Sequence, residues 1–254
     1  MGYKNNKRMS ESQHLMLPWQ ERTALLVGAG GLAALSSAFV AVVGVGGVGS
    51  AAAEMLVRAG TGHLLIIDPD TVSESNINRQ LPALHSTVGL FKVDVMRARL
   101  LDINPALDLQ ICREFLSEDN IPSVLDPFRD RLDFVVDAID TLSPKIALIQ
   151  YCMGNGIRLV SSMGSGAKTD ATAVRLADIS ETFQCPLAHM LRKRLHKLGI
   201  KEGFQAVFSA EHPRPEATVL EESRNKKSQV GSISYLPAVF GCVCAQAVVE
   251  GITK

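Results

Sequence analysis

Gly44-Val45-Gly46-Gly47-Val48-Gly49 follows a continuous apolar run, Phe39–Val43, and precedes a stretch of helical character, Ser50–Ala59. A GxGxxG turn at such a junction meets three needs. Gly44 allows the tight turn, Gly46 lets a phosphate approach the backbone, and Gly49 lets helix and strand pack closely; Gly47 is an extra glycine in the run. The helix that follows offers unpaired N–H groups and a partial positive charge to an anion. Asp68 stands 19 residues after Gly49, at the end of the next apolar run, Leu64–Asp68. An acid there accepts hydrogen bonds from ribose hydroxyls. The pattern predicts a nucleotide site, the alternative being a glycine turn that serves packing alone.

The residues that follow bear on which nucleotide. Asp70 lies two positions beyond Asp68, then come Ser75-Asn76-Ile77-Asn78-Arg79-Gln80, Val88-Gly89 and Lys92. A dinucleotide needs only its pyrophosphate held. Adenylation by ATP expels pyrophosphate, and that chemistry wants cations near the phosphates and carboxylates for a metal ion. Arg79 and Lys92 supply the first and Asp70 the second. Asp140, in Asp137-Ala138-Ile139-Asp140, falls just past another apolar run and is a further candidate on the ligand-facing rim. Taken singly, Asp70, Arg79 and Lys92 each read first as a solvated surface charge, and Asp140 reads alternatively as a loop acid before the helix that opens near Ser143. Together they favour ATP over a nicotinamide dinucleotide.

The elements that must position these groups alternate. Strands are expected at Phe39–Val43, Leu64–Asp68, Leu107–Cys112, Asp133–Asp137, Ile157–Ser161, Thr172–Leu176 and Gln205–Ser209. Helices are expected at Ser50–Ala59, Leu90–Ile103, Leu187–Leu198 and Ala238–Glu250, and from Ser143 as N-cap with Pro144 at the first helical position to about Asn155. Alternation of this kind argues for an α/β fold, a doubly wound, Rossmann-like, mostly parallel sheet with a less regular C-terminal extension. Residues 1–18 read as a flexible lead and 19–254 as one domain. Glu211–Gln229 is charged and loop-like.

Composition narrows the class. The 26 Lys+Arg balance 26 Asp+Glu, which excludes a bulk polycation that coats nucleic acid by charge alone. The balance is uneven along the chain: residues 187–254 hold 10 basic against 6 acidic residues, residues 1–186 hold 16 against 20. The five cysteines (Cys112, Cys152, Cys185, Cys242, Cys244) form no CxxC pair and no disulfide framework. They suit free thiols in a reducing cytoplasm, and Cys185 reads as a small buried residue before it reads as a nucleophile. The 31 uncharged residues between Arg22 and Glu54 are long enough to span a bilayer, but their seven glycines fall in two clusters and suit a strand–turn–helix unit better. No membrane association is expected.

The runs GVGGVGS, IIDPDTVSESNINRQ, VGLFK and DAIDT resemble the ThiF/MoeB superfamily, relatives of the ubiquitin-activating enzymes, over most of residues 19–170. The resemblance implies ATP and Mg²⁺ as cofactors and adenylation of a carboxylate. By motif position it implies that Asp68 holds the ribose, that Asn76, Arg79 and Lys92 contact the phosphates, and that Asp70 and Asp140 serve the magnesium. It also implies a homodimer, in which Arg22 of Trp19-Gln20-Glu21-Arg22-Thr23 reaches the partner's ATP. Sulfur-carrier and ubiquitin-like activators in this superfamily often carry two CxxC pairs, which this chain lacks. The stretches DAIDTLSPKIALI and Cys185-Pro186-Leu187-Ala188-His189-Met190-Leu191-Arg192-Lys193-Arg194-Leu195 are similar instead to the TcdA (CsdL) branch, the tRNA threonylcarbamoyladenosine dehydratases. Lys226–Gly241 departs from that branch, so the resemblance assigns no role to Cys242 or Cys244.

A tRNA substrate, with sulfur-transfer proteins as conceivable further partners, gives the basic run a use. Arg192, Lys193, Arg194, Lys197 and Lys201 place five cations in ten residues. On a helix, Leu187, Met190/Leu191, Leu195 and Leu198 form the expected buried stripe and the cations cover the rest, ready to contact phosphates. An ordinary solvated face is the other reading. Two further functions stay open: an adenylyltransferase acting on a sulfur-carrier or ubiquitin-like C-terminus, and a nucleotide-gated RNA-binding scaffold without catalysis.

Overall fold

A computed structural model describes residues 17–220 and 228–254. All but the last two residues of the expected flexible lead lie outside that range. Seven strands make one sheet: β1 (Phe39–Val43), β2 (His63–Ile67), β3 (Asp108–Cys112), β4 (Phe134–Asp137), β5 (Arg158–Ser162), β6 (Val174–Asp178) and β7 (Gln205–Ser209). Their order is β3-β2-β1-β4-β5-β7-β6. Every neighbouring pair is parallel except β6 on β7.

Burial on both faces explains the continuous apolar runs. β1 is buried at all five positions. Ala41 and Val43 of β1, with Leu65 and Ile67 of β2, face one core layer. That layer is completed by α4 (Ile121–Leu125), α5 (Leu142–Gly154) and α6 (Pro186–Lys197). Val40, Val42, Leu64 and Ile66 face the other layer. Against them pack α2 (Gly47–Ala59), α3 (Lys92–Ile103) and α7 (Tyr235–Thr253). α7 is long and apolar enough to cross a membrane by length and composition. It serves instead as a core helix, with Leu236, Phe240, Cys244 and Val248 wholly buried at every fourth position.

Several expectations shift. The uncharged segment holds most of α1 (Glu21–Ser37), which is broken at Gly28, whose φ of 75° and ψ of 168° are not helical. Leu32 and Leu35 anchor its second half, whereas Leu25 and Leu26 are 88% and 86% exposed. α5 starts one residue before Ser143, with Thr141 as N-cap, so Ser143 and Pro144 sit inside the first turn. Proline is tolerated there because the first N–H groups of a helix have no internal acceptor. Gly156 ends this helix region at φ 67°, as its position suggested. Glu211–Gln229 is not all loop: it contributes β8 (Thr218–Leu220) and, at its end, the start of β9 (Ser228–Val230), an antiparallel pair. On α6 the buried stripe is Ala188, Leu191 and Leu195, while Met190 and Leu198 are 42% and 49% exposed. Leu191 and Leu195 hold their expected places, Ala188 joins them wholly buried, and Leu187 packs partly buried against the same core.

Candidate active site

In this strand order the chain reverses direction of build between β1 and β4, and a doubly wound sheet opens a crevice at such a point. A cavity of about 380 Å³ occupies it. Gly44 leaves β1 with φ 88°, and its N–H continues the ladder to Ile67 O at 2.7 Å. A Cβ on Gly49 would lie 1.7 Å from Gly44 O, so this glycine lets α2 sit on the turn. Gly46 instead faces the cavity, where a Cβ would meet only the Gln80 carboxamide, at 3.6 Å or more. Gly44, Gly46 and Gly47 line the cavity and Gly49 lies behind them.

Asp68 closes the turn from the next strand. Its Oδ2 accepts the Val45 N–H at 2.8 Å and its Oδ1 accepts the Asp70 N–H at 2.9 Å. Burial pushes the Asp68 carboxyl above its ordinary range, opposed by Lys92 and by these two N–H donors. Lys92, the first residue of α3, is itself buried. Its Nζ lies 2.7 Å from Asp70 Oδ2 and 3.9 Å from Asp68 Oδ1. Lys92 thus bridges two carboxylates at the edge of the cavity that all three residues line.

The NINRQ segment forms the facing wall. Asn76 Oδ1 accepts the Ser73 N–H at 3.2 Å, which leaves its amide nitrogen for another partner. Arg79 Nη1 donates to Ser75 O at 2.9 Å and Asn78 Oδ1 at 2.7 Å. Asn78 Nδ2 donates to Ser232 O at 3.0 Å and so ties this wall to the chain entering α7. Gln80 Oε1 is buried with no hydrogen-bond partner among the described residues. A buried carboxamide oxygen costs free energy until a donor reaches it, which fits a ligand that brings hydroxyl or water donors. Asp140 is exposed on the turn after β4 and lines the same cavity.

The structure thus gathers Gly44, Gly46, Gly47, Asp68, Asp70, Asn76, Arg79, Lys92 and Asp140 around one space. Arg22, exposed on α1, is not among its lining, nor are the five cations expected to meet RNA. One of those five corrects the sequence reading. Arg192 is half-buried, and its Nη1 donates to Thr182 O at 2.7 Å and to the Thr182 hydroxyl. It braces the start of α6 and is not an open phosphate contact. Lys193, Arg194, Lys197 and Lys201 are exposed.

Other lining residues were not anticipated. Phe115 and Leu116 give the cavity an apolar wall suited to the flat face of a base. They follow β3, whose carboxyl end belongs to the same rim, so the strand-end rule applied to Cys112 would have reached them. Asp137, Lys145 and Ser161, wholly buried beneath the Asp140 turn, were assigned no role from the sequence.

The ThiF family model matches residues 20–254, a span that includes the glycine turn and every cavity-lining residue named above. The chain belongs to the ThiF family. Within that family it is 42% identical to the tRNA threonylcarbamoyladenosine dehydratase of Bacillus subtilis, over 94% of this chain and 96% of that protein. The Escherichia coli enzyme of the same name is 37% identical, over 89% and 91% of the two chains. The crystal structure of Escherichia coli TcdA in complex with ATP superposes with a TM-score of 0.83 at 36% identity, covering 92% of this chain and 93% of that one.

Proposed function

We propose that this ThiF-family chain is an ATP-dependent tRNA threonylcarbamoyladenosine dehydratase. The observation that carries the reading is the convergence of Lys92 and Arg79 with Asp68, Asp70 and Asp140 on one cavity at the glycine turn. Two cations suit a departing pyrophosphate better than a hydride-transfer cofactor. The tRNA part of the reading rests on the similarity to the named dehydratases.

The reaction begins when the carboxylate of the threonylcarbamoyl group attacks the α-phosphorus of ATP. The bond to the β-phosphate oxygen breaks and pyrophosphate leaves. Lys92 and Arg79 offset the charge that develops on the phosphate oxygens. Asp68 accepts from the ribose, and Phe115 and Leu116 flank the base. A nitrogen or oxygen of the same modified side chain then attacks the acyl carbon, a ring closes and AMP leaves with one carboxylate oxygen. The net change in the nucleoside is loss of one water. Because the nucleophile belongs to the substrate, positioning supplies much of the rate.

Asp70 and Asp140 are hard oxygen donors on the phosphate side, a donor set that suits Mg²⁺ bound through one or two carboxylates plus phosphate oxygens. When bound, that ion adds Lewis-acid stabilisation of the phosphates. Arg22 sits on α1 beside Leu25 and Leu26, an exposed apolar pair that a second copy would cover. In such a homodimer Arg22 completes the partner's site. Lys193, Arg194, Lys197 and Lys201 form the face that docks tRNA phosphates. The free thiols of all five cysteines suit a cytoplasmic setting.

The deciding experiment is mass spectrometry of nucleosides from threonylcarbamoyladenosine-containing tRNA incubated with the protein and Mg·ATP. The expected product is lighter by one water and appears together with AMP and pyrophosphate. Unchanged nucleoside under conditions in which the protein binds ATP would overturn the reading.

A further inference from the structure

We propose that Asp137, Lys145 and Ser161 form a buried positioning triad that sets the aim of Asp140 into the nucleotide cavity. The proposal rests on the reading of Asp140 given above.

All three side chains are wholly buried. Lys145 Nζ lies 2.6 Å from Asp137 Oδ2 and 3.1 Å from Ser161 Oγ. Ser161 Oγ donates to the same Asp137 oxygen at 2.6 Å. The other oxygen, Oδ1, accepts the Ile139 N–H at 3.1 Å. One carboxylate therefore joins the ends of β4 and β5, the first turns of α5 and the turn that carries Asp140. The opposite side of that turn is pressed by the nucleotide loop. The Ala138 N–H bonds to Val43 O at 2.8 Å, and a Cβ on Gly44 would stand 2.8 Å from Ala138 O. The turn is thus clamped between the glycine loop above and the triad below.

Stability alone is a poor account of this arrangement. A buried ion pair is often no better for stability than well-packed apolar side chains of the same volume. What the pair does supply is a fixed geometry and a neutralised charge. Lys145 pairs directly with Asp137, three residues before Asp140. Cys244 lies nearby on α7, where burial pushes its thiol up to about 12. A hydrogen-bonded network of this kind orients the ligating residue that it underlies, much as outer-shell partners orient metal ligands.

The test compares Ser161→Ala, Ser161→Thr, Lys145→Met and Asp140→Asn in the full chain. Calorimetry measures the Kd of ATP in EDTA and the Kd of Mg·ATP, and melting temperature is recorded for each variant. Ser161→Ala is expected to leave metal-free ATP binding unchanged and to weaken Mg·ATP binding by about three- to tenfold, the scale of one missing hydrogen bond. Ser161→Thr, which keeps the hydroxyl, is expected to restore it. Lys145→Met is expected to move Mg·ATP binding further in the same direction and to lower the melting temperature.

If Ser161→Ala lowers the melting temperature but shifts both Kd values equally, or neither, the triad is structural only and the proposal is overturned. Asp140→Asn separates the two ideas. If it abolishes the advantage of Mg·ATP while Ser161→Ala does not reduce it, the triad proposal alone fails. If Asp140→Asn leaves that advantage intact, the assignment of Asp140 fails and the proposal falls with it.

Discussion

Lys92 Nζ lies 2.7 Å from Asp70 Oδ2, and the same ammonium stands 3.9 Å from Asp68 Oδ1. One lysine therefore links two of the acids that line the cavity. Lys92→Met should reduce ATP–pyrophosphate exchange by about 10²–10³-fold, the cost of removing one preorganised charge from developing phosphate charge. Lys92→Arg should recover part of that activity. Exchange rates measured with threonylcarbamoyladenosine-containing tRNA check this, and a Lys92→Met enzyme of wild-type rate would remove Lys92 from the chemistry.

The pH dependence of ATP binding follows from Asp68. Burial raises its carboxyl in the folded chain, so the folded state takes up a proton at higher pH than the unfolded chain does. The ionised form is thus the strained one: its burial cost is present above the raised pKa and is relieved as pH falls through it. Protonation also removes an acceptor for the ribose. ATP affinity should therefore begin to fall on acidification above the ordinary aspartate range, while this residue's contribution to stability moves the opposite way. Titration calorimetry across pH 4–7, a window set by about 3.9 as the ordinary aspartate pKa, should show the effect. Asp68→Asn should bind ATP more weakly at neutral pH and show a flatter profile.

Two glycines of one motif should fail differently. Gly49→Ala places a methyl 1.7 Å from Gly44 O and should cost about 1–3 kcal/mol or more in folding stability. Gly46→Ala meets nothing closer than 3.6 Å and should melt like the parent while binding ATP more weakly. Thermal melting with and without ATP distinguishes the two. Equal melting of the two variants would show that Gly49 is not the packing position.

The basic face should divide in the same way. Charge reversal at Lys193, Arg194 and Lys197 should weaken tRNA binding and leave ATP binding intact. It should also flatten the logarithmic salt dependence of tRNA binding, by about 0.7–0.9 in slope for each phosphate that is no longer neutralised. Arg192→Ala should instead lower the melting temperature, because it removes the donor to Thr182 O. Filter binding over a salt series checks the first two statements and melting checks the third. Unchanged tRNA affinity after the triple reversal would remove the docking role.

The sheet and its ligand edge were legible in the sequence because they rest on local physics. A strand buried on both faces favours an unbroken apolar run; β1 is one, β2 is one after His63 and β4 is one before Asp137, and all three were read to within one residue. The same holds for the glycine turn, whose backbone needs exclude side chains, and for Asp68 at a strand end. α1 was missed because it is uncharged over most of its length, glycine-interrupted and apolar on its exposed side as well as its buried one, so it carries no helical contrast. α6 was found with Leu191 and Leu195 in its buried stripe, but the stripe was read too wide, because Met190 and Leu198 have the composition of core and the exposure of surface.

By itself the sequence pointed to the class of chemistry: a glycine turn, an acid at the next strand end, two cations and two further acids in an order that suits adenylation. Only the tertiary structure decided which charges do which work. Lys145 and Arg192 are both helix cations, yet one is wholly buried against Asp137 and the other is bound to Thr182. Phe115 reached the cavity only because β3 ends beside β2 on the same rim. The reason is physical. Backbone conformation and burial pattern arise from near neighbours in the chain, whereas the partner of a long charged side chain is set by which distant segments the fold brings within about 3 Å of it.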